Sequence, residues 1–125
     1  NGMVVYGQDG IDEVSLVAKT TACEIKNGKI TRLQINPKDY GFTLCSKEDL
    51  VGGNPQENAK ITKDILDGVK GAKRDVVLLN SGIALYIAGK ADNIASGIKL
   101  AAETIDSGKA KAKLEEFIKA TNEVC

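Results

Sequence analysis

The chain has 125 residues, and its 17 basic and 17 acidic side chains cancel at neutral pH. That length suffices for one domain with a buried core, and the balanced charge removes the electrostatic footprint of a nucleic-acid binder. Histidine is absent, which excludes histidine relays and histidine metal sites. Cys23, Cys45 and Cys125 are widely spaced and odd in number, so reduced thiols in a cytoplasmic protein are expected rather than a disulfide framework or a zinc site. No apolar run reaches membrane length and no signal peptide is visible. The first residue is Asn1 rather than Met, which hints at processing or truncation. The densest lysine stretch, Lys109, Lys111, Lys113 and Lys119, is interleaved with Glu115 and Glu116 as on a solvated helix face.

Met3 to Tyr6 predicts a short buried strand that feeds a loop, Gly7-Gln8-Asp9-Gly10-Ile11-Asp12-Glu13. Gly7 and Gly10 permit a sharp turn and a close approach to a ligand. Neighbouring residues on a strand or helix do not share a face, so the vicinal acids Asp12 and Glu13 reach one centre best from irregular backbone. Carboxylate oxygens suit Mg²⁺, which commonly works by holding substrate phosphates. The alternative is that Asp9 or Asp12 caps the following turn.

Thr20 to Ile35 predicts a β-hairpin, because Asn27-Gly28 supplies the two positive-φ residues of a type I′ turn. That turn sets Ile25 opposite Ile30 and puts Ala22, Leu33 and Ile35 on the other face, with the core side left open. Asn36 to Gly41 is turn-rich and is expected to cross the surface, and Ser46 to Leu50 is expected to form a single capped helical turn. In Gly52-Gly53-Asn54-Pro55-Gln56-Glu57, Asn54 is the expected N-cap, Pro55 the first helical residue and Glu57 the capping-box partner. The glycine pair could also cradle phosphate, but a self-capped, acidic first turn favours the structural role. This helix is expected to end near Gly68 with Ala59, Thr62, Ile65 and Leu66 facing inward.

The run from Arg74 to Asn80 fits either a strand or a helix, and its continuation to Ala88 favours one long helix. It is apolar nearly all round, so it needs cover on several sides, more than three strands and smaller helices supply. Ile94, Ile98, Ala101, Ala102 and Ile105 predict an amphipathic helix beginning near Asp92. Asp106-Ser107 is expected to cap a last helix with Ala110, Leu114, Phe117 and Ile118 inward.

Four of these stretches, Val4 to Glu13, Gly52 to Ala59, Asp75 to Asn80 and Ile105 to Ala110, in this order and spacing, resemble the C-terminal part of the anthranilate phosphoribosyltransferases. The resemblance implies an α/β fold: the C-terminal portion of the large α/β domain of a nucleoside-phosphorylase-like phosphoribosyltransferase, with a β-hairpin and several helices. Residues 1–125 would be one segment of that domain. The N-terminal helical domain, through which the parent would form a homodimer, and the glycine-rich pyrophosphate loop would lie upstream. The reaction implied is transfer of the phosphoribosyl group of phosphoribosyl pyrophosphate to the amino group of anthranilate, in tryptophan biosynthesis. Asp12 and Glu13 match the family's acidic pair that binds the Mg²⁺ accompanying phosphoribosyl pyrophosphate; no catalytic or substrate-contacting residue is carried over.

The sequence departs from the family at Tyr6, where histidine is frequent, and at Ala18-Lys19-Thr20, where Gly-Pro-Thr is common. Neither departure touches the acidic pair. The segment alone is expected to be inactive. Three other readings are a phosphorylase or phosphoribosyltransferase with a different acceptor, a non-catalytic nucleic-acid-binding homologue, and a structural remnant. The balanced charge and the retained acidic pair argue against the second of these.

Overall fold

Asn27 and Gly28 take φ values of 51° and 74°, as the type I′ turn requires, and this turn sets the register of the sheet. In a computed structural model that describes residues 1–123, strand β2 (Thr20–Lys26) pairs antiparallel with β3 (Lys29–Ile35), with Ile25 opposite Ile30 and Ala22 opposite Leu33. Strand β1 (Gly2–Gly7) pairs antiparallel on the other side of β2, Val4 opposite Cys23, so the sheet order is β1-β2-β3. The sheet's inner face is now decided. Ala22 and Ile35 are buried, and Met3, Val5 and Leu33 pack beside them. Val4, Tyr6, Ile25 and Ile30 point outward and are exposed.

Pro37–Tyr40 forms a 3₁₀ turn capped by Asn36 and closed by Gly41 at φ 82°. The expectation of a purely surface crossing needs correction. Pro37 is buried, and Tyr40 and Phe42 pack on the core; burial, reinforced by the neighbouring Asp39 charge, raises the Tyr40 hydroxyl above its ordinary pKa. Glu48–Leu50 forms the expected single turn, as a 3₁₀ helix, with the Ser46 amide and hydroxyl both donating to Asp49 Oδ2 at 2.9 Å.

Helix α1 (Pro55–Leu66) starts as expected, with Asn54 and Glu57 in a reciprocal capping box. Its inward stripe is shifted: Ala59 and Thr62 are exposed, while Ile61, Ile65 and Leu66 are half-buried. Only the last turns of α1 meet the domain, so the contact row is the Ile61/Ile65 pair rather than the small residues upstream.

Helix α2 (Ala72–Ile87) is the long helix expected from residue 74 onward, and it faces two layers. Leu79 and Ile83 join Val14, Leu16, Ala22, Ile35 and Ile94 in the main core. Leu78 turns toward Ala101 and Ile105 of α3 (Ile94–Asp106). Tyr86 ties α2 to the hairpin by donating to Glu24 Oε1 at 2.5 Å, under the Lys26 ammonium. One flank of α2, bearing Ala84 and Leu85, borders an open apolar groove of about 490 Å³.

Helix α3 begins near Asp92 as expected, at Ile94, with Asn93 and Ser96 in a capping box. Asp106-Ser107 does not cap the last helix, α4 (Lys109–Asn122). Helix α3 runs through Asp106, whose carboxylate is taken by a bidentate pair with Arg74 of α2 at 2.8 and 3.0 Å. Gly108 precedes α4 in the left-handed region, with no side-chain cap. Of the inner face expected for α4, Ala110 and Leu114 are half-buried, but Phe117 and Ile118 are exposed, since α4 meets the domain mainly through its first turns. Among the described residues no helix is long and apolar enough to cross a membrane, and Cys23 and Cys45 are free; Cys125 lies outside the described residues.

Candidate functional site

The loop between β1 and β2 is irregular in conformation but closely tied. Gly7 must be glycine, because a Cβ there would lie 2.8 Å from both Asp9 Oδ1 and Ile11 Cγ1. Its amide donates to the Ile11 carbonyl at 3.0 Å, the Gly10 amide returns to the Gly7 carbonyl at 2.8 Å, and the Gln8 amide reaches the Lys19 carbonyl at 2.9 Å. Gly10 sits at φ 95°, where a side chain would be strained. Lys47 reaches across from the other side and donates its ammonium to the Asp9 carbonyl at 2.7 Å. The structure therefore closes the turn as a compact knot at the end of the sheet.

Asp12 and Glu13 follow that knot and are both exposed. Among the described residues neither carboxylate is in an ion pair, although six ion pairs form elsewhere on the same surface. The chain then dives inward: Val14 is 2% exposed, and Ser15, Leu16 and Thr20 are fully buried. Backbone that enters a core must find hydrogen-bond partners, and side chains supply them. The Ser15 amide donates to Thr20 Oγ1 at 2.9 Å, and Ser15 Oγ accepts from the amides of Val17 and Ala18 at 2.9 and 3.0 Å. Asn80 of α2 accepts from the Val14 amide at 3.0 Å and donates to the Val14 carbonyl at 2.9 Å.

Ser15 caps the turn after the acidic pair, and among the described residues Asp12 accepts no capping hydrogen bond and is exposed with Glu13. In Ala18-Lys19-Thr20 the Thr20 hydroxyl holds Ser15, while Ala18 and Lys19 bond only through backbone groups, to Ser15 and Gln8. Residue reading alone did not single out Ser15, Thr20, Lys47 or Asn80. The available signal was Asn80, an amide in the middle of an apolar helix, a setting in which a polar group needs partners.

The donor set suits a hard cation in part. Two ionised carboxylates offer only acceptor oxygens, and both are exposed on a tied loop. Among the described residues no group of three or more metal-ligating side chains forms, so these two carboxylates would be this chain's side-chain contribution to such an ion. Cys45, whose amide donates to the Leu16 carbonyl at 3.3 Å, is not poised for attack: burial, with the Asp49 charge adding to it, pushes its thiol pKa up.

The glycine pair before α1 is not a phosphate cradle. A Cβ on Gly53 would fall 1.9 Å from Glu57 Oε2, and one on Gly52 would fall 2.4 Å from Asn58 Oδ1. Asn58 also bonds both polar groups of Gly53, at 2.9 and 3.0 Å. The space is filled by the helix's own side chains.

Residues 1–111 match the α/β-domain model of a glycosyl transferase family. The anthranilate phosphoribosyltransferase of Methanobrevibacter smithii is 57% identical over 122 residues, a match covering 98% of this chain and 36% of that protein. The enzyme of the same name from Acetivibrio thermocellus is 48% identical over 120 residues, covering 96% of this chain and 35% of that protein. Among solved structures, anthranilate phosphoribosyltransferase from Saccharomyces cerevisiae in complex with PRPP and Mg superposes with a TM-score of 0.87 at 29% identity, over 98% of this chain and 35% of that one. The chain thus spans about a third of the length of the relatives it matches. Its α/β architecture, with a three-stranded antiparallel sheet and four helices, agrees with theirs. By the match over residues 1–111, the chain belongs to the glycosyl transferase family as part of its α/β domain.

Proposed function

We propose that this chain is the C-terminal part of the α/β domain of an anthranilate phosphoribosyltransferase. The intact cytoplasmic enzyme transfers the phosphoribosyl group of phosphoribosyl pyrophosphate to the amino group of anthranilate. One observation carries the site assignment: Asp12 and Glu13 stand exposed and unpaired among the described residues, on a loop tied upstream by the Gly7–Ile11 turn and downstream by hydrogen bonds to Val14 and Ser15. The yeast structure that the chain resembles is a complex with PRPP and Mg, which supports the same ligand class here.

In this mechanism Asp12 and Glu13 would hold Mg²⁺, which when bound would supply Lewis acidity and a template for the leaving pyrophosphate. The chain's own work is positional. The buried Val14-Ser15-Leu16 segment anchors the carboxylates in place before substrate arrives, so little reorganisation is needed at the moment of reaction. Negative charge gathers on the departing pyrophosphate, and positive charge develops on the ribose, so no covalent nucleophile is required. The acceptor site, the pyrophosphate loop and the helical domain that forms the homodimer belong to the rest of the enzyme, so the segment alone is inactive.

The test is Mg²⁺-dependent consumption of anthranilate by the intact enzyme with phosphoribosyl pyrophosphate, beside the paired variant Asp12→Asn/Glu13→Gln. Turnover that is lost in the folded variant is the expected result. Wild-type turnover in that variant removes the acidic pair from the site. Absence of turnover in the folded parent, with phosphoribosyl pyrophosphate consumed against another acceptor, replaces anthranilate and leaves the metal assignment standing.

A further inference from the structure

We propose that Asn80 is the positioning residue of the acidic pair, acting from helix α2 through the backbone of Val14; this rests on the assignment of Asp12 and Glu13 to the metal. Three hydrogen bonds define its geometry. Asn80 Oδ1 accepts from the Val14 amide at 3.0 Å, while Nδ2 donates to the Val14 carbonyl at 2.9 Å and to the Val76 carbonyl at 3.0 Å, one turn back on α2. The side chain therefore clamps both polar groups of one residue, as a neighbouring strand would, and its own amide is locked against the helix by the third bond.

Val14 is the residue that follows Glu13, and its own side chain is 2% exposed in the core. The two carboxylates have no tether among the described residues, so their place is set by the backbone on either side. On the upstream side lies the Gly7–Ile11 turn. The downstream side is held by the clamp on Val14 and by the Ser15 bonds one residue further. The clamp adjoins Glu13 as the Ile11 bond adjoins Asp12, and it is the one that refers the pair to a long helix of the core rather than to the loop itself. Asparagine suits the task because its short side chain carries one acceptor and two donors in a plane. Aspartate retains the acceptor for the Val14 amide but loses both donors. Alanine loses all three contacts.

The experiment uses the intact enzyme and a binding readout in place of turnover. Mn²⁺ binding is followed by electron paramagnetic resonance with inorganic pyrophosphate as co-ligand, and exchange of the Val14 amide is followed in the same samples. Asn80→Ala is expected to weaken Mn²⁺ binding about tenfold to a hundredfold, the range in which groups that orient metal ligands act, and to speed Val14 exchange. Asn80→Asp, whose carboxylate accepts from the Val14 amide but meets the Val14 and Val76 carbonyls where the amide donated, is expected to weaken Mn²⁺ binding at least as much, and Asn80→Ser, smaller and uncharged, is the variant read where either fails to fold. Asn54→Ala, which loosens the cap of α1 far from the loop, serves as the stability control and is expected to leave both readouts unchanged.

Wild-type Mn²⁺ affinity in a folded Asn80→Ala, Asn80→Asp or Asn80→Ser protein overturns the positioning role. So does a shift no larger than that of Asn54→Ala. If Asp12→Asn/Glu13→Gln also binds Mn²⁺ like the wild type, the metal assignment itself has failed. If that variant loses Mn²⁺ while the Asn80 variants do not, only the role of Asn80 has failed.

Discussion

The backbone of Gly97 lies directly against the carbonyl of Gly82: a Cβ on Gly97 would stand 2.1 Å from the Gly82 oxygen, and a Cβ on Gly82 would stand 2.6 Å from the Ile98 amide nitrogen. Helices α2 and α3 cross at this point backbone against backbone, beside the Ile98 side chain, whose Cγ1 would stand 2.5 Å from a Gly82 Cβ. Because backbone atoms of Ile98 and Gly82 also oppose, rotating that side chain does not make room. This crossing brings Leu78 of α2 against Ala101 and Ile105 of α3, and it fixes the helix from which Asn80 reaches the loop.

Gly97→Ala and Gly82→Ala are expected to destabilise the domain by about 3 kcal/mol or more, the upper range of overpacking penalties. Thermal melting checks this, with a fall in Tm of roughly 10 °C expected for a chain of this size. A change within a degree or two would show that the helices can part at no cost.

Asp12→Asn/Glu13→Gln is expected to lower Mg²⁺-dependent turnover of the intact enzyme by at least about a hundredfold, since even residues that merely orient ligands cost up to that much. Both side chains are exposed, so the melting temperature is expected to stay close to the wild type. A steady-state Mg²⁺ titration beside a thermal melt separates the two effects.

The Arg74–Asp106 pair supplies an acid-sensitive contribution to stability. Hydrogen bonds from the buried Arg74 guanidinium hold the Asp106 carboxyl below the usual carboxylate range. An unfolded aspartate titrates near about 3.9, so the pair's contribution is complete above that pH and is lost as pH falls through the lower folded value. Asp75, in the first turn of α2, shifts the opposite way because burial disfavours its charged form. Wild type is therefore best compared with Asp106→Asn, which isolates the pair. In urea denaturation the wild type should be the more stable at neutral pH, and the difference should vanish in strong acid. A pH-independent difference would assign the effect to packing.

Asn54→Ala is expected to cost about 1 kcal/mol, as loss of an N-cap does. No residue of α1 is fully buried, so the helix depends on its capping box more than the core helices do. Hydrogen exchange should therefore show the loss concentrated in residues 55–66, with α2 protected as before.

Local physics made much of the fold legible in the sequence. The type I′ turn at Asn27-Gly28, the capping box of α1 and the long apolar helix each follow from short-range backbone preference or from spacing, and each stands where expected. In the sequence the acidic pair is a candidate beside the capping alternative, and the structure leaves both side chains exposed. The misplaced features depended on neighbours. Phe117 and Ile118 fit an inner helical face by spacing, but among the described residues both stay exposed. Asp106 looks like a cap in its own segment, yet its partner is Arg74, 32 residues away.

By itself, then, the sequence determined the hairpin turn, the cap of α1, the long apolar helix and the adjacency of two exposed acids, since all of these are carried within a few consecutive residues. Tertiary structure alone decided which face of the hairpin is the core, why Gly82 and Gly97 must lack side chains, and that Asn80 holds Val14 across 66 positions of chain. Those relationships depend on long-range approach, which neither composition nor spacing encodes.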